Sequence, residues 1–440
     1  MLCSKLMNKK DMSLIYRLQE SSPVIESTLT FKVPAGRDVT TATFNSEYMP
    51  QGMTAESETV EVDGGVEYRY VFKNVPQLLP ESNMVSTSFV NPALVLSTLK
   101  SWDDLYSWWK GLYSDKLAVT PEMRAQLDDL IDGAVDEADK VRRIYEFCAR
   151  DIRYVAIEYG DAGFEPHHAS EVFFNRYGDC KDQAILLTAL LREAGFKAWP
   201  VLIPTRDVYD LRPETVASYF NHAIASVELD GELVFMDPTS ATSQFGVLPT
   251  GDQDRNTLVF FDDRCEIVRT PLQDENTLHI QMQVEVNENE TATVKRRIDY
   301  SGFYAASYRY YYQNTPPTLI RDTIQRKMRS LASLSELDDM AITNIDDFRK
   351  DPRLEYTFTA GNFLSSARDL RIVPVLTEDP VDASFIDKDT RRYPLDLEGL
   401  YTVQTDVALV LPDNMEVVYL PEDLDISSPW GTLTVTLSRV

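Results

Sequence analysis

With 440 residues the chain is longer than one hydrophobic core usually supports, so two or three domains are expected. Hydrophobic residues at 43% and charged residues at 26% describe an ordinary globular protein, while 70 acidic against 43 basic side chains give a formal charge of −27. Such a field repels nucleic acid and anionic lipid, and no basic stripe offsets it, so nucleic acid is not an expected partner.

Residues 1–10 carry basic side chains but lack the apolar stretch that a signal peptide needs. Taken at face value this start implies a cytoplasmic chain; a clipped start gives the same pattern. Residues 1 to about 100 read as strands and turns. Val60, Val62, Val66, Tyr68, Tyr70 and Phe72 alternate with polar residues around Asp63-Gly64-Gly65, a hairpin signature. Ser101 then caps a helix with Leu105, Trp108, Trp109 and Leu112 on one face, a spacing that favours packing over a carbohydrate platform. These elements make an N-terminal β-rich domain, residues 1–115.

From residue 116 the pattern turns helical. Met123, Leu127, Leu130 and Ile131 form one stripe; Val141, Ile144, Tyr145, Cys148 and Ile152 form another, which places Cys148 in the core. Residues 151–170 read as a short strand and a Gly/Pro-punctuated loop. His167 and His168 in that loop read as surface or loop-anchoring residues, because no cysteine or carboxylate follows at metal-ligand spacing.

The stretch Arg176-Tyr-Gly-Asp-Cys180 delivers a thiol to the first residues of a helix, with an apolar run from Ala184 to Leu191 and Gly195 placed to end it. The unpaired N–H groups and dipole of a helix N-terminus favour the thiolate, so Cys180 is a candidate nucleophile; a half-buried structural thiol is the plain alternative. Asp179 and Asp182 flank it, placed to bind the first-turn N–H groups. The four cysteines, Cys3, Cys148, Cys180 and Cys265, are too few and too scattered for a disulfide framework, and no paired spacing suggests zinc. Neither a metal nor an organic cofactor is expected.

Two β runs follow, Asn221 to Leu229 and Glu232 to Thr239, around Asp230-Gly231, the strongest hairpin signal in the chain. With a two-residue turn, residue 229 pairs with 232, 224 with 237 and 222 with 239. His222 and Asp237 are then diagonal neighbours on one face, within reach of each other. A carboxylate beside an imidazole fixes its tautomer and stabilises its charged form, the orienting role in a nucleophile-base-orienter set. A surface His-Asp pair is the other reading. These elements belong to a central domain, residues 116–270.

From residue 271 the pattern is again β. Leu278, Ile280, Met282, Val284 and Val286 alternate with polar residues, so His279 points away from the core. Tyr300, Phe303, Tyr304, Tyr308, Tyr310, Tyr311 and Tyr312 read as a packing cluster. Pro316 and Pro317 open a helix with Ile320, Ile324, Met328 and Leu331 on one stripe, and further strands follow. A β-sandwich carrying one helix, residues 271–440, is the expectation. No apolar run exceeds strand length, so no membrane span is expected, and no internal repeat or low-complexity tract occurs.

Cys180 on a helix start, His222 on a strand and Asp237 on the next, within Tyr177-Gly-Asp-Cys180-Lys-Asp182, Asn221-His222-Ala and Met236-Asp237-Pro238, resemble the transglutaminase-like (papain-like) cysteine-enzyme superfamily. The wider layout is similar to multidomain bacterial proteins in which such a domain lies between two β-rich domains of unknown function. The carrying residues are Asn74-Val-Pro-Gln-Leu-Leu-Pro-Glu81 and residues 102–113 upstream, with Arg391-Arg-Tyr-Pro-Leu-Asp396 and residues 407–421 downstream. The resemblance implies an α+β fold with a papain-like central domain and β-rich flanks. It also implies a catalytic triad of Cys180, His222 and Asp237 and a periplasmic or cell-envelope location. Relatives of this kind begin with an export signal and a longer first domain, so the resemblance is to a member lacking its N-terminal portion.

The chemistry implied is acyl transfer, with Cys180 attacking an amide carbonyl and its backbone N–H, plus Asn175 or Tyr154 as candidate second donor, holding the oxyanion. Three functions follow: a cysteine protease or amidohydrolase acting on protein or peptide substrates; a protein-glutamine transglutaminase or deamidase; or a silent scaffold whose β-domains bind protein or glycan partners. Oligomeric state is not legible.

Overall fold

The computed structural model describes residues 10–156, 163–376, 385 and 388–439. Cys3, most of the basic N-terminal segment and residues 157–162 of the expected strand and loop lie outside the described residues. Among those described, no helix is long and apolar enough to cross a membrane.

Two three-stranded antiparallel sheets make up the N-terminal part. One orders Ser13–Arg17, Ala93–Ser97 and Thr40–Phe44; the other orders Val24–Pro34, Gly65–Val75 and Thr54–Val62. The expected hairpin is present, with Val62 opposite Gly65 and Gly64 at φ 81°. Gly65 itself is constrained by close approach: a Cβ there would meet the Val33 carbonyl oxygen of the neighbouring strand at 2.1 Å.

Five helices lead into the centre: α1 (Trp102–Tyr113), α2 (Pro121–Ile131), α3 (Glu137–Asp151), α4 (Ala169–Asn175) and α5 (Cys180–Glu193). The sequence sets their starts. Ser101 and Asp104 form a capping box on α1; Thr120 caps α2 with Pro121 at its first position; Asp136 accepts the Asp139 N–H at 2.7 Å to cap α3. Trp109 is buried and its indole N–H donates to the Phe164 carbonyl at 3.2 Å, so the tryptophans of α1 pack rather than form a platform. Leu105, Tyr106, Trp109 and Tyr113 of α1 share one core with α2, α3, α5 and the central sheet.

That sheet is antiparallel throughout, ordered Glu232–Met236, His222–Leu229, Ala198–Ile203, Asn256–Phe260 and Cys265–Arg269. Helix α5 lies against its middle strands and is the most enclosed helix: Ile185, Leu186, Leu187, Leu190 and Leu191 are each at most 1% exposed. Each such aliphatic side chain contributes about 1.5–3 kcal/mol by leaving water. That burial seats α5, and with it the turn that carries Cys180, against the sheet. Gly195, at φ 92°, ends the helix, and the Phe196 N–H returns to the Leu191 carbonyl at 3.0 Å.

The C-terminal part is β-rich and carries two helices where one was expected. A five-stranded sheet, ordered Leu334–Thr343, Arg353–Gly361, Ala292–Tyr300, Thr277–Val286 and Thr402–Val410, packs against α6 (Phe303–Asn314) and α7 (Pro317–Leu331). The additional helix arises because the tyrosine run of 303–314 is itself helical. Its Tyr308 stacks on Tyr300 of the adjoining strand with ring centroids 3.9 Å apart, and the run of aromatic residues across both elements hid the helical periodicity. Pro316 and Pro317 open α7 as expected, with Ile320, Ile324 and Met328 buried. His279 points away from the core and pairs with Asp406 on the adjacent strand at 2.7 Å.

Candidate active site

Helix α5 begins at Cys180 itself, so the thiol stands on its first turn. Asp179 is the N-cap: its carboxylate accepts the Asp182 N–H at 3.2 Å, and the Asp182 carboxylate accepts the Asp179 N–H at 3.1 Å, a reciprocal capping box. Both acids are buried. Burial pushes the Asp179 carboxyl up, opposed by the Lys181 ammonium in direct hydrogen-bonded contact. Gly178 is required by space, since a Cβ there would lie 2.7 Å from the Asp182 Cβ.

Asp182 has a second task. It accepts the His167 backbone N–H at 2.8 Å and lies 3.1 Å from the His167 Nδ1. His167 thus anchors its loop to the α5 start, the anchoring role its sequence context suggests. His168 is the N-cap residue of α4 and makes no side-chain capping bond.

The hairpin follows the expected register, with Leu229 opposite Glu232 and Ala225 opposite Met236. Asp230 and Gly231 take φ 52° and 84°, the positive values that a two-residue primed turn demands. His222 opens its strand and Asp237 follows the end of the next. Their side chains meet across the diagonal, His222 Nε2 to Asp237 Oδ2 at 3.2 Å. Cys180 acts on the same ring and, with Asp237, favours its protonated form. The structure therefore brings Cys180, His222 and Asp237 together.

Asp237 is 4% exposed, and its other oxygen, Oδ1, accepts the Thr239 N–H at 2.9 Å and the Thr239 hydroxyl at 2.8 Å. The buried Tyr145 hydroxyl donates to the Asp237 and Ser243 carbonyls at 3.3 and 3.4 Å. Burial favours the neutral forms of His222 and Asp237. Their mutual attraction, with the Thr239 donors on Asp237 and Cys180 on His222, outweighs it: His222 is held well above the ordinary imidazole value and Asp237 below the ordinary carboxyl value. The half-buried ring and the buried carboxylate thus favour an ion pair at neutral pH.

Asn175 is exposed at the last turn of α4. Tyr154 is exposed on a two-residue strand paired with Tyr177–Gly178, on the chain leading into Cys180.

Three residues of the site were not singled out from sequence. Thr239 carried a local signal, since Asp-x-Thr is an Asx-turn pattern in which the acid binds the N–H two residues on. Tyr145 was legible only as core. Asp252, 2% exposed, carried no signal: it sits on a short 3-10 turn, Thr250–Asp252, yet one of its carboxylate oxygens lies within 4.8 Å of a His222 ring nitrogen and an Asp237 oxygen. This trio has the compactness of a cation site, but the His222–Asp237 bond already uses donor atoms that an ion would need.

Residues 124–238, which contain Cys180, His222 and Asp237, match the transglutaminase-like superfamily, and residues 369–440 match a domain of unknown function, DUF3858. No curated protein matches the chain. Among solved structures, the chain is similar to a "putative protease" from Parabacteroides distasonis at 14% identity and TM-score 0.59, covering 96% of this chain. It spans 65% of the length of that protein. A "putative cysteine protease" from Cytophaga hutchinsonii, at 13% identity and TM-score 0.26, covers 59% of this chain and 84% of its own, too loose a superposition to carry an argument. Residues 124–238 are thus a transglutaminase-like domain, set in an α+β chain with β-rich flanks.

Proposed function

We propose that the chain is a cysteine protease or amidohydrolase acting on peptide amide bonds, with Cys180 as nucleophile, His222 as general base and acid, and Asp237 as the group that orients His222. The observation that carries this reading is the His222 Nε2–Asp237 Oδ2 contact at 3.2 Å, on a ring whose protonated form Cys180 also favours, with the thiol on the first turn of α5, where the helix N-terminus favours negative charge.

The reaction runs in two halves. With the Cys180 proton already resident on His222, the sulfur attacks the carbonyl carbon as the thiolate, and the carbonyl oxygen takes up the negative charge beside the Cys180 backbone N–H. Asn175 or Tyr154 is the proposed second donor. The carbon–nitrogen bond then breaks as His222 returns its proton to the leaving amine, giving a thioester. Water, deprotonated by His222, adds to that carbon; the carbon–sulfur bond breaks and the acid leaves. No metal or organic cofactor enters these steps.

The test is a peptide library presented to wild type and to Cys180→Ala, scored for cleavage and for incorporation of a primary amine. Cleavage by wild type alone is the expected result. Amine incorporation without cleavage makes the chain a transglutaminase, and equal behaviour of the two proteins removes the enzyme reading in favour of a scaffold.

A further inference from the structure

Asp252 is a buried carboxyl group that the scheme above does not use. Its Oδ2 atom is enclosed and has no hydrogen-bond partner, and an oxygen of the group lies within 4.8 Å of both Asp237 and His222. The groups that face it are the Asp237 carboxyl and the His222 ring, with the Tyr145 phenol of α3 nearby; Thr270 donates to its backbone carbonyl at 2.5 Å, not to its side chain. Arg255, three residues on, points elsewhere and donates to the Pro204 and Val208 carbonyls. Two ionised carboxylates enclosed side by side would repel, and one of them would lack any donor.

We propose that Asp252 is kept as the neutral acid and donates its proton to Asp237 in a carboxyl–carboxylate hydrogen bond. It is then a positioning residue, fixing Asp237 and through it the His222 ring while holding the pair of acids at a single negative charge. This rests on the reading of Cys180, His222 and Asp237 given above. The opposed directions agree with it: burial and the Asp237 charge push Asp252 well above the ordinary carboxyl range, while Asp237 lies below it. One shared proton between two enclosed acids produces this divergence. Because the folded group binds its proton more tightly than the unfolded one, its stabilising effect is full below the unfolded value of about 3.9 and is lost as pH rises through the folded value.

The experiment compares wild type, Asp252→Asn, Asp252→Ala and His222→Ala in two measurements on the full chain. The first is the rate of Cys180 alkylation by iodoacetamide, read on its peptide by mass spectrometry. Asp252→Ala should slow it by about tenfold, the equivalent of one pKa unit of lost support at His222, and Asn, which keeps a donor, should restore most of that loss. The second is urea unfolding from about pH 4 to about pH 9, a range chosen to start at the free-carboxyl value. Wild type should lose stability relative to Asp252→Asn as pH rises. Parallel stability curves overturn the neutral acid, and a rate lost equally in Asn and Ala overturns the donated bond. If His222→Ala leaves alkylation unchanged, the nucleophile-base reading fails and the positioning role with it, while the unfolding curves still decide whether Asp252 holds a proton. Should Asp252→Ala not fold, the Asn variant and the curves suffice.

Discussion

At the scale of single residues, three cysteines can be compared by environment. Cys148 is wholly enclosed, and burial raises its thiol far above the usual range; Cys265 is half-buried and pushed up to about 11, first by burial and then by Asp103. Cys180 interacts with the His222 ring and has partial access to solvent. A thiol-alkylating probe should therefore label Cys180 at least about tenfold faster than either, and equal labelling of the three would remove the case for a reactive thiol. The His222–Asp237 pair sets a pH window as well. His222 is raised on folding, so its contribution is full below the unfolded value of about 6.5 and fades as pH climbs through the folded one. Asp237 is lowered, so its contribution is full above about 3.9 and fades as pH falls through its folded value. Wild type should exceed His222→Gln in stability most clearly between about pH 4 and pH 6.5, with the gap narrowing at higher pH. Chemical denaturation across that range measures it; a gap that widens with pH would reverse the assigned charges.

At the scale of elements, the site depends on how one helix starts and how one hairpin is registered. Gly178 permits the capping box, because any side chain there strikes Asp182. Gly178→Ala should destabilise the protein by about 1–3 kcal/mol, the range for overpacking, and slow Cys180 alkylation by shifting the α5 start. Thermal unfolding and labelling together test this, and a variant unchanged in both would show the contact is relieved at no cost. Likewise Gly231 sits at positive φ in the turn that fixes the His222–Asp237 diagonal. A β-branched residue there strains the turn, and a register slip of one residue would turn His222 to the opposite face.

At the scale of the whole molecule, the flanking parts are tied to the centre by side chains from both sides. The Ser88 hydroxyl donates to the Arg206 carbonyl at 3.0 Å, and the Arg206 side chain pairs with Asp396 at 2.8 Å, linking both flanks at one central loop. Phe348, 5% exposed, meets two guanidinium groups, Arg150 of α3 at 4.6 Å and Arg309 of α6 at 4.5 Å from its ring centre. Its carbonyl accepts from Gln244 at 3.1 Å. Phe348→Ala should cost about 3–5 kcal/mol, as for other enclosed phenylalanines, and raise proteolytic sensitivity between the central and C-terminal parts. Limited proteolysis beside urea unfolding reads both effects; loss of stability without new cleavage would place Phe348 in the C-terminal core alone.

The sequence by itself determined what short-range physics controls. Caps and apolar spacing put Cys180 on the first turn of α5, and Asp230-Gly231 fixed a register in which His222 and Asp237 must meet, because strand geometry propagates from a two-residue turn without further input. Alternation likewise gave the strand of His279 its buried face. Only the tertiary structure decided the rest. The tyrosine run of α6 became a helix because its rings found a sheet to pack on, where sequence spacing showed aromatic content without a face. Asp252 reached His222 and Asp237 from a separate turn, through a loop whose path is set by packing and leaves no periodic or spacing signal. Long-range juxtaposition of enclosed charge depends on the whole fold, and it is there that the character of this site is settled.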